Sequence, residues 1–357
     1  MATQILDKAK AESFVGKMVG VLNDACLALM VSVGHQTGLF DAMAELPPST
    51  SAEIAQAAKL KERYVREWLG AMVTGGIVEY DPTQSAYWLP REHAAALTRA
   101  AGADNFALFM QYISLLGEVE QDIGRCFREG GGIPYSSFKR FQKLQAEETN
   151  RIFDNALVDM ILPLVSGLVE RLQAGIEAAD VGCGCGRAIN VMAKAFPKSR
   201  FVGYDMSEEG ITTAQNEARQ WGLRNARFAI QDAAALPEIE RFDFITAFDT
   251  IHDQAQPTQA LHAIAKALRR DGVFLMQDIA AQTPLEQNIE LPLAPALYTF
   301  STMHCMTVSL ALNGEGLGAM WGEQKARQML AQAGFMSVEV KQIPADPLNF
   351  YYIARKQ

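Results

Sequence analysis

From about residue 176 to the end of the chain, short apolar segments alternate with amphipathic stretches, and this alternation constrains the fold more than any other feature. Each apolar segment has the length of a β-strand, and most of the stretches between them have helical spacing. Strands that alternate with helices form parallel sheets covered on both faces, so the pattern predicts an α/β domain. The seven segments are IEAADVG, SRFVGYD, ARFAIQD, FDFITAF, GVFLMQD, SVEVKQI and NFYYIAR.

The first hundred residues have a different pattern. Thr50 and Glu53 have the spacing of a capping box at a helix start. A second amphipathic helix is predicted from about Glu62 to Met72, and two short strands, 77–80 and 86–89, follow it. Two helices followed by a hairpin predict a winged helix.

The chain has 357 residues, which exceeds the usual length of about 100 to 200 residues for one domain. We therefore predict a mostly α winged-helix domain in residues 1–100, a helical cap in 101–150 and the α/β domain in 151–357. Glycines and a proline interrupt the cap at EGGGIPYSSF. Tyr135 in this segment is a candidate contact to a substrate, and a plain turn is the alternative.

Charge and composition exclude several functions. The net charge is −9 at pH 7, and the first hundred residues contain 9 Lys and Arg against 11 Asp and Glu. Because DNA binding requires clustered positive charge, we do not expect the winged helix to bind nucleic acid. No apolar run approaches the roughly 20 residues of a membrane span, so we expect a cytoplasmic protein without membrane contact. Five irregularly spaced cysteines do not form a disulfide framework.

The apolar residues between Phe14 and Val31 recur at helical spacing and cover more than one narrow stripe. A helix with so much apolar surface requires extensive partners. Two interpretations remain open at this point: packing inside its own domain, or an interface between two copies of the chain.

The stretch ADVGCGCGRA, residues 179–188, lies at the end of the first predicted strand of the sheet. Ligands bind beyond the carboxyl ends of the strands in open parallel sheets, where the first strand meets its helix. Gly182, Gly184 and Gly186 remove side chains where the backbone must turn and approach a bound molecule. Their spacing differs from the G-x-G-x-x-G pattern of dinucleotide-binding folds and therefore disfavours NAD.

Two cysteines lie between these glycines. Cys183 and Cys185 are separated by one residue, and no second pair with zinc-like spacing follows. The C-x-x-C spacing of a redox motif is also absent from this stretch. We therefore expect no metal site and treat both cysteines as small packing residues.

With Asp180 in front, the pattern becomes D-x-G-x-G-x-G, which resembles motif I of the class I methyltransferases that use S-adenosylmethionine (SAM). SAM carries positive charge and no pyrophosphate, so an acid at this position suits it. The resemblance implies a Rossmann-like, seven-stranded methyltransferase domain with SAM as cofactor. Taken singly, each acid of the implied site has helix capping as the alternative reading. The implied cofactor-binding residues are Asp180, Gly182, Gly184, Gly186, Asp205 for the ribose hydroxyls, Met206 and Asp232 for the adenine, Ala233 and Phe248.

A histidine follows the fourth predicted strand in FDTIHDQAQP. His252 and Asp253 resemble the H-D-W segment of small-molecule O-methyltransferases with an N-terminal dimerising winged helix, although Gln254 replaces the tryptophan. In that group the histidine deprotonates the acceptor hydroxyl, and a neutral imidazole is a suitable base near pH 7. The resemblance therefore implies His252 as the catalytic base and a homodimer. The alternative is a histidine that caps the strand or the next helix.

The chain departs from that group at a second position. Those enzymes carry an acid that supports the histidine, shortly before the helix that leads to their last strands. Aligning MWGEQKARQMLAQAGF with that helix places Met320 at this position, with Glu323 one turn later. We therefore expect the histidine to be differently oriented or unsupported, which makes O-methylation of a phenol doubtful.

An insertion of apolar and aromatic residues lies between the fifth strand and that helix. In this fold, such an insertion shapes the acceptor pocket, and its composition predicts a small, mostly apolar acceptor. His304 and Trp321 are candidate acceptor contacts, with packing as the alternative for each, and Cys305 has no argued base that would make it a nucleophile.

The leading hypothesis is a SAM-dependent methyltransferase that acts on an O, N or S atom of a small molecule. The alternative from another class is a SAM-sensing regulator that uses its winged helix on DNA. We interpret the remaining histidines, His35, His93 and His262, as structural.

Overall fold

The structure is a computed structural model that describes residues 6–356. Residues 1–5 and 357, which the sequence analysis assigned to the first and last domains, lie outside the described residues. The chain divides into two compact units, Met1–Gly117 and Glu118–Gln357. The division falls inside the segment 101–150 that the sequence analysis treated as a separate cap.

The first unit contains the winged helix that the sequence predicted. The capping box at Thr50 is present: its side chain accepts from the backbone of Glu53, whose carboxylate accepts from the backbone of Thr50. Phe40 and Trp68 meet edge to face at 5.3 Å in the core of this unit. Its elements are α1 (Lys8–Thr37), α2 (Leu39–Ala44), α3 (Ser51–Ala57), α4 (Glu62–Thr74), β1 (Glu79–Asp81), β2 (Ala86–Trp88), α5 (Arg91–Leu97) and α6 (Phe106–Gly117).

Helix α1 exposes much of its apolar surface. Phe14, Val19 and Leu22 are 60%, 54% and 64% exposed. By length and composition this helix could cross a membrane, since its mean hydropathy reaches 1.6 in a window that is only 6% buried. The expectation that no apolar run approaches that length was wrong, because it overlooked how few charges interrupt the helix after Lys17. The same composition occurs in core helices of soluble proteins and in signal sequences.

All seven strands predicted for the α/β domain are present in the second unit, in one sheet of order β5-β4-β3-β6-β7-β9-β8. The first five of these strands are parallel, whereas β9 runs antiparallel to both β7 and β8. Every residue of β6 is buried, as expected for a central strand covered on both faces. The strands are β3 (Glu177–Val181), β4 (Arg200–Asp205), β5 (Ala226–Ile230), β6 (Phe242–Phe248), β7 (Leu268–Ile279), β8 (Ser337–Ile343) and β9 (Asp346–Arg355).

Helices and two hydrophobic clusters cover the sheet. One cluster joins residues of α12 and α15 to the sheet, and the other joins residues of α9 and α10. In the insertion, a π-helical turn, Ser301–Cys305, connects two short helices. The helices of this unit are α7 (Glu120–Glu129), α8 (Phe141–Ile152), α9 (Leu168–Ala174), α10 (Arg187–Ala195), α11 (Glu208–Gln220), α12 (Pro257–Ala267), α13 (Ala294–Phe300), α14 (Met306–Ala311) and α15 (Gly322–Gln332).

Candidate active site

The glycine turn lies at the carboxyl end of β3, immediately before α10. Gly182, Gly184 and Gly186 all have positive φ angles, of 74°, 51° and 75°. A side chain at Gly182 would collide with Thr250, whereas a Cβ at Gly184 would meet nothing within 4 Å. The turn therefore packs tightly against the loop after β6 and leaves the backbone at Gly184 accessible to a ligand.

Asp180 is buried inside the sheet next to this turn. Its side chain is 2% exposed and accepts a 2.7 Å hydrogen bond from the hydroxyl of Thr246 in β6. Burial raises the pKa of Asp180 to about 7, although the bond from Thr246 opposes this effect. A nearby cation would stabilise the ionised carboxylate.

Asp205, at the end of β4, is held by the backbone on both sides. Its Oδ2 accepts from the N–H of Gly184 and its Oδ1 from the N–H of Ser207, each at 2.8 Å. Burial raises the pKa of Asp205, while these backbone bonds lower it. Each carboxylate oxygen has a second lone pair, so the side chain is fixed in position and can still accept two hydroxyl groups.

Three residues were expected at the adenine. Met206 follows Asp205 directly in the sequence, and Asp232 and Ala233 follow the end of β5. Met206 is 64% exposed. Asp232 caps a short 3-10 helix by accepting from the N–H of Ala234 at 2.9 Å, and Ala233 is buried. Asp232 is therefore a helix cap, as the alternative interpretation held. Its other carboxylate oxygen can accept a hydrogen bond from a ligand.

Two side chains before the α/β domain also reach this region. Gln142 in α8 donates a hydrogen bond to the hydroxyl of Ser207. Burial raises the pKa of Tyr135, and the charges of Asp253 and Asp205 raise it further, so Tyr135 lies near both carboxylates. Tyr135 was expected at the site from its sequence segment, whereas Gln142 was not, because a glutamine in a helix carries no local signal of a contact 65 residues away.

His252 lies just beyond the end of β6, on the 3-10 turn Ile251–Asp253, and is 3% exposed. Its Nδ1 is 2.8 Å from Oδ1 of Asp278, which is fully buried near the end of β7. The same oxygen accepts from the N–H of Ile279 at 2.9 Å. Of the two alternatives expected for the histidine, a different orientation or a lack of support, the second was wrong, because the neighbouring strand supplies the acid.

Met320 and Glu323, the two positions that the sequence offered for this acid, have other partners. Met320 packs with Ala281 and Leu297. Glu323 forms an ion pair with Arg327 at 2.7 Å. The sequence signal for the supporting acid was the aspartate of GVFLMQD, which lies near the end of its strand as Asp205 lies at the end of β4.

Three carboxylates surround His252. Nε2 is 3.3 Å from Oδ1 of Asp253, and Nδ1 is 3.9 Å from Oδ1 of Asp249. Burial lowers the pKa of His252, but the charges of Asp278 and Asp253 outweigh burial and raise it well above its usual value. Burial also raises the pKa of Asp249 to about 7. The backbone of this residue has a positive φ angle of 53°. The surroundings therefore stabilise an imidazolium.

The same residues have the composition of a metal site, which the sequence analysis did not expect. Within residues 6–356, two groups bring ligand atoms within 4.8 Å of one another: His252 with Asp253 and Cys305, and His252 with Asp249 and Asp278. Burial raises the pKa of Cys305 to about 12, so its thiol is protonated at neutral pH and unreactive as a nucleophile.

The other residues proposed from the sequence lie among apolar side chains. His304 is 1% exposed and stacks on Phe141 with 3.6 Å between ring centroids. Phe248 contacts the ring of Phe153 at 5.0 Å. Trp321 is 4% exposed and belongs to the larger hydrophobic cluster of the sheet, so packing accounts for its position.

Comparison with known families agrees with this architecture. Residues 25–99 match the family of Rv2258c-like winged HTH domains, and residues 172–334 match the methyltransferase domain family. The malonyl-[acyl-carrier protein] O-methyltransferase of Bacillus cereus is 29% identical over 133 residues, which are 37% of this chain and 48% of that protein. The chain thus spans less than half the length of this relative.

Solved structures share the fold across nearly the whole chain. The mitomycin 7-O-methyltransferase has a TM-score of 0.71 at 17% identity, covering 98% of this chain and 100% of that one. Human N-acetylserotonin methyltransferase in complex with SAM has a TM-score of 0.68 at 14% identity, covering 100% and 99%. The chain therefore joins a region that matches Rv2258c-like winged HTH domains to a region that matches methyltransferase domains.

Proposed function

We propose that the chain transfers a methyl group from SAM to a hydroxyl oxygen of a small molecule, with His252 as the general base. The 2.8 Å contact between His252 Nδ1 and Asp278 Oδ1 carries this proposal. A base is needed only when the acceptor must lose a proton, as a hydroxyl does. The supporting carboxylate therefore favours oxygen over a neutral amine or a thiolate as the acceptor atom.

The residues at the ends of β3 and β4 fit the cofactor. Asp205 is oriented by two backbone N–H groups and retains lone pairs for the ribose hydroxyls. The open side of Gly184 allows close approach to the backbone, and Met206 is exposed where an adenine would cover it. When bound, SAM supplies a methyl group on a sulfonium carbon that is already activated for displacement.

The chain's own part in the reaction is to position the acceptor and accept its proton. Asp278 holds the Nδ1–H of His252, which leaves Nε2 to receive the proton of the acceptor hydroxyl. The negative charge of Asp278 stabilises the imidazolium that forms. Burial of His252 keeps water away from the reacting atoms.

The charges of the winged helix support an enzyme over a DNA-binding regulator. In α4, Arg63 pairs with Glu67, and Arg66 pairs with Glu62 at 3.3 Å. These basic side chains are therefore already partnered on the helix that would enter the major groove. Binding to DNA phosphates requires basic residues that are not neutralised in this way.

We infer that the enzyme is a homodimer. A second copy packed along α1 would cover the exposed apolar side chains, among them Phe14 and Leu22. Exposed apolar patches of this kind commonly mark protein–protein contacts. The acceptors in the names of similar proteins, a malonyl-acyl carrier protein and mitomycin, differ widely, so they support only oxygen methylation.

The test has two stages. Calorimetric titration with SAM and its demethylated product should show binding to the full chain. Incubation with isotope-labelled SAM and a metabolite extract should then yield a labelled product with wild-type protein and none with His252→Ala. The matched control is His262→Ala, because His262 is exposed and its ring hydrogen-bonds the carbonyl of Thr258 in its own helix. Equal labelling by His252→Ala and wild type would contradict the proposed base.

A further inference from the structure

The edge of His252 that faces away from Asp278 meets a group of metal-ligand atoms. Within the part of the chain that the structure describes, His252, Asp253 and Cys305 each bring one nitrogen, oxygen or sulfur atom within 4.8 Å of the other two. A set that mixes sulfur, nitrogen and oxygen is typical of zinc, whereas Mg²⁺ and Ca²⁺ prefer oxygen ligands alone. The composition of this group therefore indicates a zinc-type ion.

The separation of two of these atoms matches that of two ligands on one ion. Nε2 of His252 is 3.3 Å from Oδ1 of Asp253, yet among the described residues this buried oxygen has no hydrogen-bond partner. Two ligands that lie 2.0–2.1 Å from a tetrahedral zinc are about 3.3–3.4 Å from each other. An ion bound to both atoms therefore needs no change in their separation. The side chain of Asp253 is 22% exposed, which gives an ion a route from solvent.

The other ring nitrogen of His252 has the outer partner that is typical of metal-bound histidines. Nδ1 is 2.8 Å from Oδ1 of Asp278. When Nδ1 carries the proton and donates it to this carboxylate, the lone pair of Nε2 is free for an ion. Asp249 and Asp278 form a second ligand group with His252, but the hydrogen bond at Nδ1 already uses that nitrogen. The ion is therefore expected on the side of Nε2.

A second histidine beside Asp253 also lacks partners. Within residues 6–356, neither ring nitrogen of His304 makes a hydrogen bond, although the side chain is buried. Its Nδ1 is 3.9 Å from Oδ2 of Asp253, which is too long for a hydrogen bond. Buried polar atoms without protein partners are expected where a bound group supplies the missing contacts.

We propose that His252, Asp253 and Cys305 bind one Zn²⁺ ion, and that the bound ion inhibits methyl transfer. The bond to zinc uses the lone pair of Nε2, which is the lone pair that would otherwise accept the proton of the acceptor. Zinc binds the thiolate, so the thiol proton of Cys305 passes to the buffer as the zinc–sulfur bond forms. The metal site depends on the ligand geometry alone, whereas the inhibition rests on the proposed function of His252.

Co²⁺ is the probe for the ligands, because it accepts the same tetrahedral set and its bond to a thiolate absorbs in the near ultraviolet. Titration of the full chain with cobalt chloride should produce this band at one ion per chain. Zinc chloride should remove the band, and excess magnesium chloride should not. Cys305→Ser should lack the band, whereas Cys126→Ser should retain it, because Cys126 lies in α7 and belongs to neither ligand group.

Asp253→Asn is a second variant, at a partly exposed side chain that is unlikely to be needed for folding. It should weaken cobalt binding about tenfold or more, because the amide lacks the charge that attracts the ion. Absence of the thiolate band in wild type, or a band of equal strength in Cys305→Ser, would overturn the metal site. Cobalt binding by Asp253→Asn with wild-type affinity would also overturn it.

The inhibition is measured as methyl labelling with zinc divided by labelling with a chelator, for each protein separately. In wild type, saturating zinc should lower labelling by about 100-fold, within the range for loss of a general base. The decrease should be much smaller in Cys305→Ser. Zinc that binds wild type without lowering its labelling would overturn the inhibition. If His252→Ala labels as well as wild type, the proposed base fails, while the cobalt spectra still decide the metal site.

Discussion

Asp278 holds His252 across the ends of two neighbouring strands: Oδ1 of Asp278 is 2.8 Å from Nδ1 of His252, and both side chains are buried. The pair forms because β6 and β7 are adjacent and parallel, so that their carboxyl ends meet at one edge of the sheet. The geometry directs Nε2 of His252 away from Asp278 and towards Asp253. A carboxylate in this position sets both the orientation and the basicity of the imidazole.

Replacing the supporting acid should therefore impair turnover without weakening cofactor binding. In Asp278→Asn the imidazole loses its charged partner, and we expect kcat to fall by about 100-fold, within the range for loss of general-base catalysis. Glu323→Gln is the control, because Glu323 pairs with Arg327 and not with His252. Calorimetry with SAM and a kcat measurement on the labelled product check both variants. Equal kcat values for the two variants would argue against the role of Asp278.

The cofactor site makes a separate prediction. Asp205→Asn should weaken SAM binding by about 10- to 100-fold, because charge-assisted hydrogen bonds contribute roughly 1.5–3 kcal/mol. Glu208→Gln is the matched control, an exposed acid three residues further on in the first turn of α11. Titration calorimetry measures both affinities. A similar loss in the two variants would point to a general charge effect rather than to a specific contact.

The acids around His252 predict the pH dependence of methyl transfer. Their charges outweigh burial and raise the pKa of His252, and only the neutral imidazole can accept a proton. We therefore expect kcat/KM to rise with pH and to reach its plateau well above pH 6.5. In Asp253→Asn, which removes one of these charges, the midpoint should move to lower pH. A pH profile of both proteins tests this, and a wild-type midpoint below 6.5 would contradict it.

The neutral state of His304 predicts sensitivity to acid. The pKa of this ring is about 4 in the folded protein and about 6.5 when unfolded, so the unfolded state binds the proton more tightly. The contribution to stability is present above pH 6.5 and is lost as the pH falls towards 4, to a limit of about 3 kcal/mol. His304→Phe should lose less stability than wild type between pH 7 and 5 in urea unfolding. The control is His262→Phe, at an exposed histidine, which should lose as much as wild type.

The apolar surface of α1 predicts the oligomeric state. Val19→Glu combined with Leu22→Glu places charge on exposed apolar positions and should convert the dimer to a monomer in light scattering. Lys17→Glu changes the net charge equally on an exposed position of the same helix and should leave the dimer intact. A wild-type protein that is monomeric at all concentrations would refute the inferred interface.

Much of the fold was predictable because its signals are local. Each strand of the sheet is a short apolar run bounded by polar residues, and the capping box at Thr50 lies within four residues. The glycine turn was equally predictable, because the three glycines at alternate positions are the residues at which the backbone adopts positive φ angles. Placing Asp205 at the ligand edge required only the rule that parallel strands end on the same side.

The partners of the candidate site were not predictable in the same way. Asp278 was overlooked as the support of His252 because the contact depends on which strand lies beside β6. Gln142 reaches the region of Asp205 from the segment before the α/β domain, and no local pattern indicates such a contact. The exposure of α1 was likewise left open, since apolar spacing predicts a helix but not what covers it.

The amino-acid sequence by itself determined the winged helix, the order of strands and helices, the glycine turn and the acids at the strand ends, because hydrophobic period, capping and turn chemistry act over a few residues. Only the tertiary structure decided which acid holds His252 and that His304 lies unpaired among aromatic rings. These relationships join residues 26 or more positions apart, so strand order and side-chain packing, rather than local preference, establish them.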